Sequence, residues 1–308
     1  MKATSRDWIL LCCLGLIWGA SFMATEIATS EFDVLTLAAL RLIIGAGVLV
    51  MLLIIRRERL PGFHTRKERG FWLFALGSAL ATNALPFTLL SFAQRHVDSS
   101  FAGVVVSSVP LFVLPMAHFL VPGERMTWRR SIGFGLGFIG IVVLLGTDAL
   151  FRPIEGPTVI LAQLSCVVAA ICRASGAIIA KRAPQLGLIR FAAAGLILGS
   201  VIAAPIALAV EGVPAMPTSL PGVLATAYLG LIPTALALVM LLSIVASAGP
   251  SFLSTVNFQV PLWAVFFGVF LLGEDLPPQL GIALGLTVCG LVLSQGLVGL
   301  RRGGHAQG

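Results

Sequence analysis

The sequence predicts an all-α integral membrane protein, with ten transmembrane helices as two inverted-topology five-helix repeats. Three observations carry that expectation. Of 308 residues 58% are hydrophobic and 11% charged, against about 45–50% and about 25% in soluble domains. The apolar residues fall in runs such as 34–55 and 278–298, long enough to cross ~30 Å of hydrocarbon as helix. Finally, residues 99–112 (SSFAGVVVSSVPLF) recur in outline at 250–263 (PSFLSTVNFQVPLW), 151 positions later.

The spans read in order as about 7–27, 34–55, 70–92, 99–121, 131–147, 156–180, 188–210, 219–243, 250–272 and 278–298. The first follows Lys2 and Arg6 and continues past Trp18 without a small-residue cleavage site, so it reads as a retained span. Spans eight and nine are split at Gly249-Pro250, a turn signal with proline suited to open a helix. The cysteines, Cys12, Cys13, Cys166, Cys172 and Cys289, all fall within spans and read as reduced packing residues, with no disulfide framework and no metal site expected.

The basic residues orient the chain. With the N-terminus inside, every Lys and Arg falls in an inner segment except Arg95 and Arg152 in outer loops and Arg41 and Arg173 within spans. The positive-inside rule therefore places both termini in the cytoplasm. The net charge of +7 faces anionic lipid, and no basic face suggests nucleic acid.

The 151-residue offset runs from span three through span four, pairing Leu80 with Leu231, Asn83 with Thr234, Ser108 with Gln259 and Pro110 with Pro261. After one residue is dropped it pairs Glu124 with Glu274 and Gly140 with Gly290. The halves are 1–150 and 151–308, five spans each. An odd number of spans forces the second half to start on the opposite side of the membrane from the first. Inverted repeats that exchange roles are the construction of many secondary carriers, whose substrate site lies between them.

The motifs IWGASF in span one, LAALRLIIGA in span two, and the two stretches running from PLFVLPMAHFLVPGERMTW and PLWAVFFGVFLLGEDL into spans five and ten are family-like. With them the sequence resembles the EamA branch of the drug/metabolite transporter superfamily over nearly its whole length, and within it the bacterial aromatic amino-acid exporters. The resemblance implies export across the bacterial inner membrane through a central cavity lined by spans one, three, four, six, eight and nine. One departure is that Arg173 takes the place in span six that Trp18 holds in span one.

Candidate cavity residues follow from polarity and aromaticity at depth. The amides Asn83, Asn257 and Gln259 are costlier to bury in lipid than the hydroxyls Ser21, Ser107, Ser108, Ser175 and Thr234, which can bond their own helix. Asn257 and Gln259 lie about 200° apart on a helix, so both cannot face one cavity. Trp18 and Tyr228 have polar tips that need partners, while Phe87 and Trp263 offer apolar wall. Pro110 and Pro261 read as paired hinges, and Pro86, Pro115 and Pro233 as tolerated helix prolines.

An arginine out of reach of water in a membrane costs from ~2.5 to well over 10 kcal/mol, so Arg41 and Arg173 each need a partner, a wet cavity or a path to the interface. Arg173, eight residues before Lys181 and so about 12 Å along the helix from it, has two readings, snorkelling toward the inner interface or accepting a substrate carboxylate bidentately. Arg41, in a span that the resemblance leaves outside the lining, is given a structural part.

No acidic residue stands near a midplane, which weakens a proton-coupled multidrug exporter. No phosphate-binding loop or hydrolytic constellation is present, so an enzyme is not expected. The expected function is a secondary transporter exporting small metabolites, most of all aromatic and other neutral amino acids, by alternating access. It would need no cofactor, work as a monomer and have the lipid bilayer and small-molecule amino acids as its partners. The alternatives are a lipid or lipid-linked sugar flippase and a multidrug exporter of the same superfamily.

Overall fold

The computed structural model describes residues 4–120, 126–145, 156–217, 219–248, 250–253, 255–275 and 278–294. Over these the chain is helical almost throughout, as an apolar sequence must be where lipid offers no hydrogen bonds to the backbone. The helices are α1 (Ser5–Thr29), α2 (Val34–Ile55), α3 (Arg66–Ala93), α4 (Ser99–Leu120), α5 (Trp128–Leu145), α6 (Pro157–Arg182) and α7 (Leu188–Val210). Helix α8 comprises Leu220–Leu229, Gly230–Leu236 and Ala237–Ala248; α9 is Val256–Leu272, preceded by a short turn at Pro250–Leu253; α10 is Pro278–Ser294. Among the described residues, seven helices are long and apolar enough to cross a membrane, α1–α4 and α6–α8. Val256–Leu272 and Gln279–Leu293 are apolar but shorter.

Capping fixes several helix starts. Thr4 with Asp7 and Thr65 with Glu68 form reciprocal capping boxes at α1 and α3, each side chain bonding the other residue's backbone N–H. Pro157 occupies the first turn of α6, where a missing N–H costs nothing. Helix α9 ends on Gly273, whose φ of 71° is the left-handed conformation that glycine adopts freely.

Helices α3 and α8 are interrupted by π-helical stretches, Ala79–Ala84 and Gly230–Leu236. Their starts are 151 positions apart, the offset of the sequence repeat. Pro233 lies within the second stretch and Pro86 just after the first, so prolines expected to be merely tolerated sit where the helix is widened. Helix α4 breaks after Ser107, and Pro110 stands in the first turn of the resumed helix. Pro261 lies inside a continuous helix, so the two expected hinges differ in local structure.

The helices pair as α1 with α8 and α9, α6 with α3 and α4, α2 with α7 and α8, α3 with α7, α4 with α9, and α5 with α10. Replacing each helix by the one five places along the chain leaves these pairings unchanged, whereas the contacts of α2 with α3 and of α1 with α4 have no such counterpart among the described residues. One apolar core, including Leu11, Leu14, Phe22, Val105, Val260 and Ala264, joins α1, α4 and α9 with α6 and α8. A second, including Leu42, Leu49, Phe87, Leu196 and Ala235, joins α2, α3, α7 and α8. Large apolar side chains such as Ile54, Leu73, Phe119, Val201 and Phe270 cover the outside, as suits lipid.

Candidate functional site

A cavity of about 490 Å³ opens between α1–α4 and α6–α9, a size common for sites that hold small molecules. Of the residues singled out by sequence, Trp18, Ser21, Asn83, Phe87, Ser107, Arg173, Thr234 and Asn257 line it. The lining is otherwise largely apolar, with Phe22, Leu90, Phe191, Leu196 and Leu241 among its members.

Five expected residues stand elsewhere, each for a local reason. Ser108 is fully buried and donates to the Val105 carbonyl in the α4 break. Ser175 donates to the Ile171 carbonyl one turn back. Tyr228 spends its hydroxyl on the Ile17 carbonyl of α1 at 3.1 Å. Gln259 turns toward Gly15, where a Cβ would lie 2.9 Å from its side chain. Trp263 packs against Phe266 and Phe267 and closes over Gly19.

The lining also departs from what the resemblance implies, because α2 and α7 contribute to it. Arg41 of α2 is therefore a cavity residue and not merely a structural one. Its Nε donates to Thr234 Oγ1 at 3.0 Å, and its guanidinium carbon lies 3.9 Å from the centre of the Phe87 ring. The Arg173 guanidinium carbon lies 5.7 Å from the same ring centre. Both cations thus use one aromatic face system in place of water. Among the described residues neither arginine meets a carboxylate, no lining residue is acidic, and the buried Arg173 Nε has no hydrogen-bond partner.

Sequence reasoning also passed over Gln94, at the end of α3. Its Nε2 donates to the Phe22 carbonyl at 2.7 Å, while its Oε1 is buried without a partner on the cavity wall. The signal was available, since a glutamine closing an apolar span is costly unless something accepts its amide.

The π-helical stretches build part of this wall. A π turn leaves a carbonyl five residues back as the acceptor, and Thr234 Oγ1 donates to Leu229 O at 2.7 Å. That bond aims the hydroxyl oxygen at Arg41. On α1, Trp18 Nε1 approaches the Pro233 carbonyl at 3.4 Å, so the widened segment of α8 meets the cavity from two sides.

Outside the cavity, Glu274 closes the start of α4. It accepts from the Ser99 and Ser100 amides at 2.9 and 3.1 Å and from both hydroxyls, and Glu26 of α1 accepts from the same Ser99 amide at 3.0 Å. The glutamate of the second repeated GE motif is thus a cap that ties α9 to α4. Its counterpart Glu124 lies outside the described residues.

The model of the EamA-like transporter family matches residues 7–146 and 160–295, one segment in each half. The chain belongs to the EamA-like transporter family. It is a multi-pass membrane transporter, not an enzyme, and the double match agrees with an internal repeat. It is 28% identical over 292 residues to the uncharacterized inner membrane transporter YedA of Escherichia coli K12, covering 92% of this chain and 88% of that one. It is 26% identical over 302 residues to a probable terminal-alkyne amino-acid exporter of Streptantibioticus cattleyicolor, covering 95% and 94%. A solved crystal structure at 21% identity superposes with a TM-score of 0.67 over 95% of this chain and 98% of the other, which shows the same fold.

Proposed function

We propose that this transporter exports small amphipathic metabolites, aromatic and other neutral amino acids foremost, by alternating access between inverted repeats 1–150 and 151–308. The observation that carries this reading is one cavity walled by both repeats, apolar over most of its surface and cationic at one place. The exchange symmetry of the principal helix pairs supports two bundles that rock about a shared site. The basic segments support both termini in the cytoplasm of a bacterial inner membrane. The likeness to an amino-acid exporter supports the substrate class.

In this reading the apolar wall takes the side chain, Arg173 and Arg41 take the carboxylate, and Asn83, Asn257, Ser21 and Ser107 complete the polar contacts. Pro110, beside the α4 break, and Pro261 act as hinges. Both repeats of one chain build the site, so a monomer suffices.

The test is uptake of labelled tryptophan, phenylalanine and threonine into liposomes containing only this protein, with and without a pH gradient. Saturable uptake without the gradient supports a facilitated or exchanging carrier, and uptake only with it adds a coupled proton. No uptake by protein shown to be folded removes neutral amino acids from the reading.

A further inference from the structure

Resting on the alternating-access transport of amphipathic metabolites but departing from amino acids as the foremost of them, we infer that the preferred cargo is a net-anionic aromatic or aliphatic carboxylate without an ammonium group beside the carboxylate. The two guanidinium groups flank one ring, Phe87, at 3.9 and 5.7 Å, so they lie no farther apart than the sum of those distances. A carboxylate held by the fork of either guanidinium therefore lies within the field of the other. Arg41 has one described hydrogen bond, from Nε, which leaves its terminal nitrogens to donate elsewhere, and Arg173 Nε is buried and unpartnered.

An α-amino acid places its ammonium about one hydrogen-bond length from its own carboxylate, inside the field of both arginines. Like charges at that range in a wall of low polarity repel strongly. Among the described lining residues no aspartate or glutamate receives the ammonium. A hydroxyl at the same carbon brings no such charge.

The other unpartnered polar atom sets the far end. Gln94 stands seven residues after Phe87, about 10 Å along the helix axis, and its Oε1 is an acceptor with no described donor. It suits a donor at the distal end of an elongated molecule, such as a phenol.

The experiment is counterflow in liposomes with four probes: phenylalanine, 3-phenyllactate, 3-(4-hydroxyphenyl)lactate and phenethylamine. The expected result is that phenyllactate moves at least tenfold more efficiently than phenylalanine, the hydroxyphenyl compound better still, and phenethylamine not at all. R41Q and R173Q, each shown folded by melting and by a single size-exclusion peak, should bring phenyllactate down to the level of phenylalanine. Should those variants not fold, the wild-type series decides alone. Phenylalanine carried as well as or better than phenyllactate overturns the inference while the transport reading stands. No movement of any probe by folded protein overturns both.

Discussion

Arg41 Nε and Thr234 Oγ1 stand 3.0 Å apart although 193 positions separate them in the chain, and the bond joins α2 to the π-helical stretch of α8. The threonine hydroxyl donates its proton to Leu229 O, so its oxygen is free to accept from the guanidinium. A guanidinium held this way costs less inside a membrane protein than one that merely faces hydrocarbon. Thr234→Val keeps the shape and removes the acceptor, which should cost about 1.5–3 kcal/mol for a bond to a charged group. Thermal melting in detergent should fall for T234V and recover for T234S. An unchanged melting point for T234V would mean that Arg41 finds its support elsewhere.

Glu274 presents the same logic at a helix start. Four hydrogen bonds from Ser99 and Ser100 converge on one carboxylate, and a lost cap together with stranded buried donors costs roughly 2–4 kcal/mol. Glu274→Ala should therefore lower the melting point markedly. Glu26→Gln, whose side chain accepts from the Ser99 amide alone among the four donors and otherwise meets Glu274, should lower it less. Equal losses in the two variants would refute the assignment of Glu274 as the principal cap.

The helical membrane class and the order of the helices were legible because composition and run length are set by the solvent, here lipid, before any packing is considered, while seven of the ten expected spans reach crossing length among the described residues. The 151-residue offset was legible because similar contacts made in each half keep small and helix-breaking residues in register, and the two π stretches and the double family match agree with it. Side-chain direction was not. Counting 3.6 residues per turn separates Asn257 from Gln259, and the first faces the cavity while the second turns to Gly15. It cannot be carried through Ala79–Ala84 or Gly230–Leu236, where the helix is wider and the phase shifts. Arg41 was placed in a supporting role because its helix lay outside the implied lining, and only the three-dimensional contact with Phe87 and Thr234 reveals it as wall.

Helices α5 and α10 approach on glycine. A Cβ on Gly290 would lie 2.5 Å from Gly133 O and 2.6 Å from Gly137 N, both backbone atoms that cannot step aside, whereas Gly285 has open space around it. Close backbone approach at small residues is how membrane helices gain contact. Gly290→Ala should cost about 1–3 kcal/mol by overpacking, read as a lower melting point, while Gly285→Ala should leave it unchanged or slightly raised. If the two glycines respond alike, this pair of helices does not pack as closely as described.

The paired π stretches yield the sharpest separation of fold from function. A π turn is in effect one residue inserted into an α-helix, so removing one residue there restores ordinary helix and leaves both flanks in phase. Removing one residue from regular helix instead rotates everything beyond it by about 100°. Deleting Ala81, inside the stretch Ala79–Ala84 of α3, should thus leave the melting point within a few degrees. Flux should nonetheless fall at least tenfold, because Asn83 and Thr82 lose their present aim into the cavity. Deleting Gly47 from the unbroken helix α2 should abolish folding, since it turns the buried Leu49 and Leu53 out of their core. Retained flux in the Ala81 deletion would show that the widened turn is dispensable for transport. Unfolding in both deletions would show that the π stretch is part of the packing and not an insertion into it.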